Sequence, residues 1–281
     1  MGVNKLTVGL GGGSLLQIAE RYGGPSMSYM LKSSNGKIIM IDGGWMPADA
    51  DYLYNLIKSE GGRVDLWFIT HAHIDHYGAL LNMLKEKPDF DIEIERLIFD
   101  FPPLEWLGTV EKGESVSPTT EFLEQLELHG IRPEKLRFGD TFECSDIKIE
   151  VLNNPTDCEG YVSVNDTSAV LLVHFPKRNV LFLGDLAVEG QKKLLKLQNE
   201  NKLKCDIVQM AHHGQQGVDR NFYEIVQPKI CLYPTARWIW NNDIGKGIGS
   251  GPLKTLETRQ WMEELGVLVS CVSADGDYFL I

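Results

Sequence analysis

The chain has 281 residues, of which 43% are hydrophobic and 23% are charged. This usage is ordinary for globular proteins and excludes a disordered or collagen-like chain, because the apolar residues suffice for a core. The formal net charge of −12 argues against a protein that binds a long phosphate backbone, since such binding depends on clustered lysine and arginine.

Signals for membranes, export and disulfides are missing from the sequence. No apolar run reaches the roughly 20 residues of a membrane-spanning helix, and residues 1–24 lack the apolar core of a secretory signal. The five cysteines show no C-x-x-C spacing, which argues against a disulfide framework or a cysteine zinc site. We therefore expect a cytoplasmic protein without membrane contact.

Short apolar segments bounded by Gly, Pro, Asn or Asp predict strands along the whole chain. They cover residues 37–41, 64–70, 94–99, 147–152, 168–175, 179–183, 207–210 and 230–233. Helical patterns lie between them, over residues 48–60, 77–87, 118–129, 188–199 and 253–265. No linker or composition break interrupts this mixture, so we expect one α/β domain over residues 1–281.

Two details concern the middle of the chain. The pattern at 118–129 follows Ser117, which is expected to be the N-cap with Pro118 in the first turn. The preceding segment 101–117 is expected to be a long loop, and long loops in compact domains often carry function.

The densest group of potential metal ligands follows the strand predicted at 64–70. It consists of His71, His73, Asp75 and His76. In an extended segment, a spacing of two places His71 and His73 on one side, whereas Asp75 and His76 fall at the turn into the next helix. Imidazole and carboxylate groups together suit Zn²⁺, Fe or Mn²⁺.

Two later strands end at the same kinds of side chain. One delivers Asp185 after Gly184, and the other ends at His212 and His213. A lone Gly-Asp after a strand is usually only a turn. However, five of the seven histidines lie at just two strand ends, which predicts that these ends converge on one site.

These motifs resemble the metallo-β-lactamase fold superfamily of hydrolases, whose hallmark is H-x-H-x-D-H. The resemblance implies a four-layer αββα sandwich with the site at one edge, between the two sheets. It also implies two divalent metal ions, with zinc expected and manganese or iron as alternatives. His71, His73 and Asp185 would hold the first ion, and Asp75, His76, Asp185 and a late histidine the second.

The late histidine is expected to be His213, because the residue before Gly214 matches the family position best; the opposite assignment stays open. His212 would then be a proton donor or a substrate contact. Asp42, in the segment Ile41-Asp42-Gly43-Gly44, resembles the acid that supports the site in this family.

One segment departs from the family pattern. Many members supply another histidine where this chain has Asn165 and Ser168. Together with the motifs at Asp185 and His213, this segment resembles a subgroup that includes the ComEC-type domain of DNA-uptake competence proteins and bacterial phosphorylcholine esterases. The first ion would then have fewer protein ligands, with Asn165 as a weak ligand or a hydrogen-bond donor.

The implied activity is hydrolysis by a water that the two ions activate, with Asp75 and His212 as the catalytic residues. The expected substrate is a small phosphoester or phosphodiester rather than extended nucleic acid. A carboxylic ester or lactone hydrolase is the main alternative, and a di-iron oxidoreductase or a non-catalytic DNA-handling module are weaker ones. Trp45 and Trp238 are candidate substrate contacts, with simple hydrophobic packing as the alternative.

Overall fold

Apolar residues that alternate along short strands build two β-sheets in the computed structural model, which describes residues 2–87 and 90–281. Strands are numbered in chain order. The first sheet has seven strands, whose spatial order is β1 (Val3–Leu6), β16 (Asp277–Leu280), β2 (Ser14–Gln17), β3 (Ser28–Lys32), β4 (Ile38–Asp42), β6 (Leu66–Phe68) and β8 (Leu97–Ile98). A two-stranded ribbon of β5 (Arg63–Val64) and β7 (Glu93–Ile94) accompanies it.

The second sheet also has seven strands. Their spatial order is β15 (Val269–Val272), β14 (Ile230–Tyr233), β13 (Ile207–Gln209), β12 (Asn179–Phe182), β11 (Leu171–His174), β10 (Ile147–Val151) and β9 (Thr141–Cys144). The run β12 to β15 is parallel, as are β4, β6 and β8 in the first sheet. The carboxyl ends of parallel strands share an edge, and the ligand-type side chains follow those ends.

The two sheets pack face to face over an apolar core. Ile39 and Ile41 point into this core, whereas Met40 between them points to the opposite face of the sheet, as the period of a strand requires. Tyr29 of the first sheet and Phe182 of the second meet edge to face, with ring centroids 5.0 Å apart. The interior between the sheets is therefore a packed layer.

Helices cover the outer face of each sheet. Helices α1 (Pro47–Ser59), α2 (Ile74–Glu86) and α4 (Val116–Leu128) pack on the first sheet. Helices α5 (Val188–Leu197), α6 (Glu200–Leu203), α7 (Arg220–Val226) and α9 (Thr255–Glu264) pack on the second. The remaining short helices are α3 (Leu104–Leu107) and α8 (Arg237–Asn241). The expected four-layer αββα sandwich is thus confirmed.

Two local expectations were wrong. Helix α4 begins at Val116 with Ser115 at the N-cap position, so Ser117 lies inside the helix. Pro118 is tolerated there because the first turn of a helix contains backbone N–H groups that have no intrahelical partner. Segment 101–117 is not an irregular loop, since it contains α3 and a 3-10 turn at Glu111–Gly113. Over the residues that the structure describes, none of the helices combines the length and the apolar character needed to cross a bilayer.

Candidate metal centre

The predicted ligand residues converge on one edge of the sandwich. Strand β6 leads to His71, β12 leads to Asp185, and β13 leads to His213. In addition, α2 begins directly after His73, which places Asp75 and His76 in its first turn. The two sheets therefore each contribute side chains to the same cluster.

The cluster divides into two groups that share Asp185. The first group is His71, His73 and Asp185, and the second is Asp75, His76, Asp185 and His213. In each group, one nitrogen or carboxylate oxygen per residue lies within 4.8 Å of the others. The shared carboxylate is only 2% exposed.

In the first group, two ring nitrogens lie close to each other. Nε2 of His71 lies 3.1 Å from Nδ1 of His73. Two nitrogens at this separation need a proton or a cation between them, because two lone pairs repel. The pair thus provides a position for positive charge.

The second group surrounds a similar position. Nε2 of His213 lies 2.9 Å from Oδ2 of Asp75 and 3.4 Å from Oδ2 of Asp185. Nε2 of His76 lies 3.4 Å from the same Asp185 oxygen and 3.8 Å from that of Asp75. Two carboxylates and two imidazoles therefore face one another in a buried pocket.

Three of the histidines are oriented through their second ring nitrogen. In each, Nδ1–H donates to an oxygen, so that Nε2 is directed into the cluster. The acceptors are Thr70 Oγ1 for His71 (3.1 Å), Asp42 Oδ2 for His76 (2.7 Å) and the Pro234 carbonyl for His213 (2.6 Å). In the neutral imidazoles this arrangement leaves the lone pair on Nε2, which is the form that can bind a cation.

Two polar atoms of the cluster have no hydrogen-bond partner in the described part of the chain, although both are buried. They are Nε2 of His76 and Oδ1 of Asp185. Buried polar atoms are rarely left without a partner, and both of these belong to a set of nitrogen and carboxylate donors. The cluster therefore fits a dinuclear metal site in which Asp185 is shared.

A family profile decides the classification. The profile described as "Metallo-beta-lactamase superfamily" matches residues 21–229, a range that contains every residue of both groups. The chain belongs to this superfamily. No curated protein sequence matches the chain.

Solved structures share the fold at low sequence identity. YhfI from Bacillus subtilis, a metallo-β-lactamase fold protein, is 10% identical with a TM-score of 0.55, covering 95% of this chain and 99% of its own. Unliganded yeast PDE1 is 12% identical with a TM-score of 0.53, covering 96% and 98%. CmlA, a diiron β-hydroxylase from Streptomyces venezuelae, is 14% identical with a TM-score of 0.54, covering 92% of this chain but only 52% of CmlA. The chain thus spans about half the length of CmlA, and these likenesses concern the fold alone.

Burial and neighbouring charges together set the pKa values of the ionisable groups in this superfamily member's cluster. Burial by itself would raise the pKa of Asp185, but His213 and His76 beside it hold that pKa well below its usual range. Burial would lower the pKa of His213, yet Asp185 raises it to about 10. Burial, reinforced by His76 and His73, keeps the pKa of His71 well below its usual range. The site thus holds ionised carboxylates that attract positive charge.

His212 lies at the rim of the cluster and outside both groups. Its Nδ1–H donates to the Gln216 carbonyl at 2.9 Å, and its Nε2 lies 3.9 Å from Oδ2 of Asp185. His212 and His213 both adopt left-handed backbone, with φ of 50° and 57°, a conformation that costs non-glycine residues energy and is concentrated at functional sites. The two neighbouring imidazoles are thereby directed to different positions.

The segment around Asn165 and Ser168 also reaches the site. Asn165 Nδ2 lies 3.4 Å from Nε2 of His212, and Asn165 Oδ1 is buried without a hydrogen-bond partner among the described residues. The Ser168 hydroxyl accepts a 3.1 Å hydrogen bond from the backbone N–H of Asp185. Ser168 therefore supports the strand end that carries the shared carboxylate.

The two tryptophans singled out from the sequence lie at the surface. Trp45 is half-buried and packs edge to face on Tyr22, with ring centroids 5.8 Å apart. Trp238 is 40% exposed in α8, which follows Pro234, the acceptor for His213. Both rings are accessible, and their role in substrate contact stays a prediction.

Two supporting residues were missed from the sequence. The Gln209 Oε1 accepts hydrogen bonds from the N–H groups of Leu183 and Gly184, each at 2.7 Å, and so holds the turn before Asp185. A glutamine inside the otherwise apolar strand β13 is a sequence feature that could have indicated such a contact. Gly184 is required there because its φ is 54° and a Cβ would lie 2.9 Å from Thr70 Oγ1. The second missed residue is Glu111, whose carboxylate contacts Nε2 of His73.

Proposed function

We propose that the protein is a metal-dependent hydrolase that acts on a phosphoester or phosphodiester. The observation that carries this proposal is the shared, buried Asp185 between two groups of imidazole and carboxylate side chains. A dinuclear arrangement of this kind suits in-line displacement, in which both the attacking and the leaving oxygen need stabilisation.

The number of side chains in each group supports a metal ion with an open coordination position, at which hydrolysis would take place. The first group offers three side chains, whereas the second offers four. Catalytic zinc sites typically have three protein ligands and leave one coordination position for water or substrate. We propose zinc for both positions, with manganese or iron as the alternatives.

The bound ions would supply Lewis acidity that lowers the pKa of water towards neutrality and stabilises negative charge at the reacting centre. The chain itself provides orientation and proton transfer. Asp75 lies 2.9 Å from Nε2 of His213 and so keeps the side chains of the second group in position. His212 would take a proton from the attacking water at Nε2, which faces Asn165 Nδ2 while Nδ1–H donates to the Gln216 carbonyl. It would then pass that proton to the leaving oxygen.

The resemblance of the segment from Asn165 to Ser168 to the ComEC-type and phosphorylcholine-esterase subgroup supports phosphorus over a lactam as the reacting centre. The buried Oδ1 of Asn165, which has no partner among the described residues, is a candidate weak ligand for the first ion. Since the net charge is −12, we propose a small substrate and not extended nucleic acid.

We propose that residues 1–281 form one domain, because both sheets contribute to one core and to one site. All five cysteines are free thiols, which supports a reducing compartment such as the cytoplasm.

Two other chemistries are alternatives within the same fold. A carboxylic ester or lactone would place a carbonyl carbon where we propose phosphorus. A di-iron oxidoreductase is the second alternative, since CmlA, a diiron β-hydroxylase, shares the fold. Hydrolysis without any change of redox state distinguishes our proposal from that alternative.

A panel of chromogenic phosphomonoesters, phosphodiesters and carboxylic esters tests the proposal, with Zn²⁺, Mn²⁺ or Fe²⁺ supplied in turn. We expect a phosphorus ester to be the best substrate and Asp185→Ala to lose its hydrolysis by orders of magnitude. Asp206→Ala is the matched control, because Asp206 pairs with Arg178 at the opposite end of β12 and β13. The proposal fails if Asp185→Ala is as fast as the wild type or if carboxylic esters are preferred.

A further inference from the structure

Glu111 joins two segments that meet at the first group of the cluster. Its Oε2 lies 2.7 Å from Nε2 of His73, and its Oε1 accepts a 3.0 Å hydrogen bond from the backbone N–H of Val164. His73 precedes helix α2 on the first sheet's side, whereas Val164 precedes Asn165 and strand β11 of the second sheet. One carboxylate therefore links both halves of the sandwich across the site.

The contact with Glu111 determines which nitrogen of His73 faces the cluster. A carboxylate can only accept, so Nε2 of His73 carries the hydrogen and Nδ1 keeps its lone pair. That Nδ1 lies 3.1 Å from Nε2 of His71, which also carries a lone pair because its Nδ1–H is bonded to Thr70. Glu111 thus selects the tautomer in which both nitrogens can hold a cation.

The backbone that carries Glu111 is strained. Glu111, Lys112 and Gly113 have φ of 48°, 56° and 71°, so two non-glycine residues adopt the left-handed conformation in succession. Such strain persists only where the surroundings determine it, and it is concentrated at functional sites. The strain therefore indicates that the position of the Glu111 carboxylate is required.

The surroundings that hold this strain are a small apolar cluster. Leu107 in α3 packs there with Ala72 and Val164, all of which are fully buried. Ala72 lies between His71 and His73, and Val164 is the residue whose N–H donates to Glu111. Segment 101–117 is thus fastened to both site segments by apolar contacts as well as by Glu111.

We propose that Glu111 is the positioning residue for His73 and that the seating of segment 101–117 completes the first ion position. The inference rests on the metal centre of the proposed function, but it does not depend on which ester is hydrolysed. The partners of His71, His76 and His213 come from strand ends or from the residue next in the chain, whereas Glu111 comes from a separate segment.

Cobalt titration of the full chain tests this role, with Co²⁺ as the probe and its visible absorption as the readout. Glu111→Gln has nearly the same volume, but an amide has one acceptor oxygen where the carboxylate has two. We expect one Co²⁺ to bind with wild-type affinity and the other about 10–100-fold more weakly, with loss of its part of the spectrum. Glu114→Gln is the matched control, because Glu114 is exposed in the same segment and the charge change is identical.

A double-mutant cycle separates positioning from general support of the fold. If Glu111 acts through His73, Glu111→Gln will cause no further loss of Co²⁺ affinity in a His73→Ala background. The inference is overturned if Glu111→Gln binds both ions like the wild type, or if its effect is equally large without His73. Neither result involves ester hydrolysis, so failure of this inference and failure of the proposed function are distinguishable.

Discussion

Oδ2 of Asp42 accepts a 2.7 Å hydrogen bond from Nδ1 of His76, and both side chains are completely buried. Asp42 also accepts hydrogen bonds from the backbone N–H and the hydroxyl of Thr70, at 2.8 and 2.9 Å. The end of strand β4 thereby holds the segments that carry His71 and His76. Asp42 thus supports both segments through its hydrogen bonds.

Asp42→Asn should weaken the second ion position more than the first, because Asp42 contacts His76 directly and His71 only through Thr70. Asn tolerates the left-handed backbone of residue 42, whose φ is 57°, so the turn itself should survive. The amide, however, has one acceptor oxygen for the three donors of Thr70 and His76. We expect metal affinity to fall about 10–100-fold for one ion, measured by competition with a chromophoric chelator. Equal loss at both ions, or at neither, would contradict this role.

The two adjacent histidines should respond differently to truncation. His213→Ala removes a member of the second group, so we expect it to lose one of two ions. His212→Ala should retain both ions while kcat falls about 10²–10⁴-fold, the usual contribution of a proton-transfer group. Metal analysis and kinetics on the same preparations check this, and the reverse pattern would exchange the roles of the two residues.

Asp277→Ala should destabilise the fold. The Asp277 carboxylate is buried and accepts hydrogen bonds from Arg21, Tyr52 and the backbone N–H of Ala19. Removal of one partner of a buried ion pair leaves the other charge uncompensated, so we expect a loss of roughly 3–5 kcal/mol in the free energy of unfolding.

Denaturant titration measures this loss, and an exposed ion pair provides the control for Asp277. Glu264→Ala breaks the pair with Arg220 at the surface, where solvent screens the charges and the expected loss of stability is far smaller. Similar costs for the two variants would show that the buried contacts of Asp277 contribute little.

The thiols should be unreactive in the native protein. Burial raises the pKa of Cys144 and Cys158 to about 11 and that of Cys205 and Cys271 to about 12. Since only the thiolate is nucleophilic, a raised pKa lowers the reactive fraction at about pH 8. Cys158 is the one thiol of the five that is partly exposed. We expect a disulfide reagent to modify Cys158 slowly and the others only after unfolding, with Cys158→Ser as the control.

The strand-end residues of the site could be predicted because their signal is local. His71, Asp185 and His213 each follow an apolar run closely, and strands of this kind recur at the same edge of a sheet. Helix starts were less accurate: α2 begins at Ile74, three residues before the predicted position, because its first turn is polar. The apolar pattern that marks a helix does not extend over Asp75 and His76.

Glu111 could not be predicted, because nothing local distinguishes it from Glu105 and Glu114 in the same segment. Its contact with His73 spans 38 positions and depends on left-handed backbone that non-glycine residues rarely adopt. A charged residue in such a segment is ordinarily a solvated one. Only tertiary packing, through Leu107 on Ala72, determines that this carboxylate reaches the site.

Metal content measures the central claim most directly. The wild-type chain and Asp185→Ala are reconstituted with Zn²⁺, freed of excess by gel filtration, and analysed by mass spectrometry for zinc per chain. Because Asp185 belongs to both groups, we expect two ions in the wild type and at most one in Asp185→Ala. A wild type without stoichiometric metal, or an Asp185→Ala variant that retains two ions, would contradict the assignment of this cluster as a dinuclear centre.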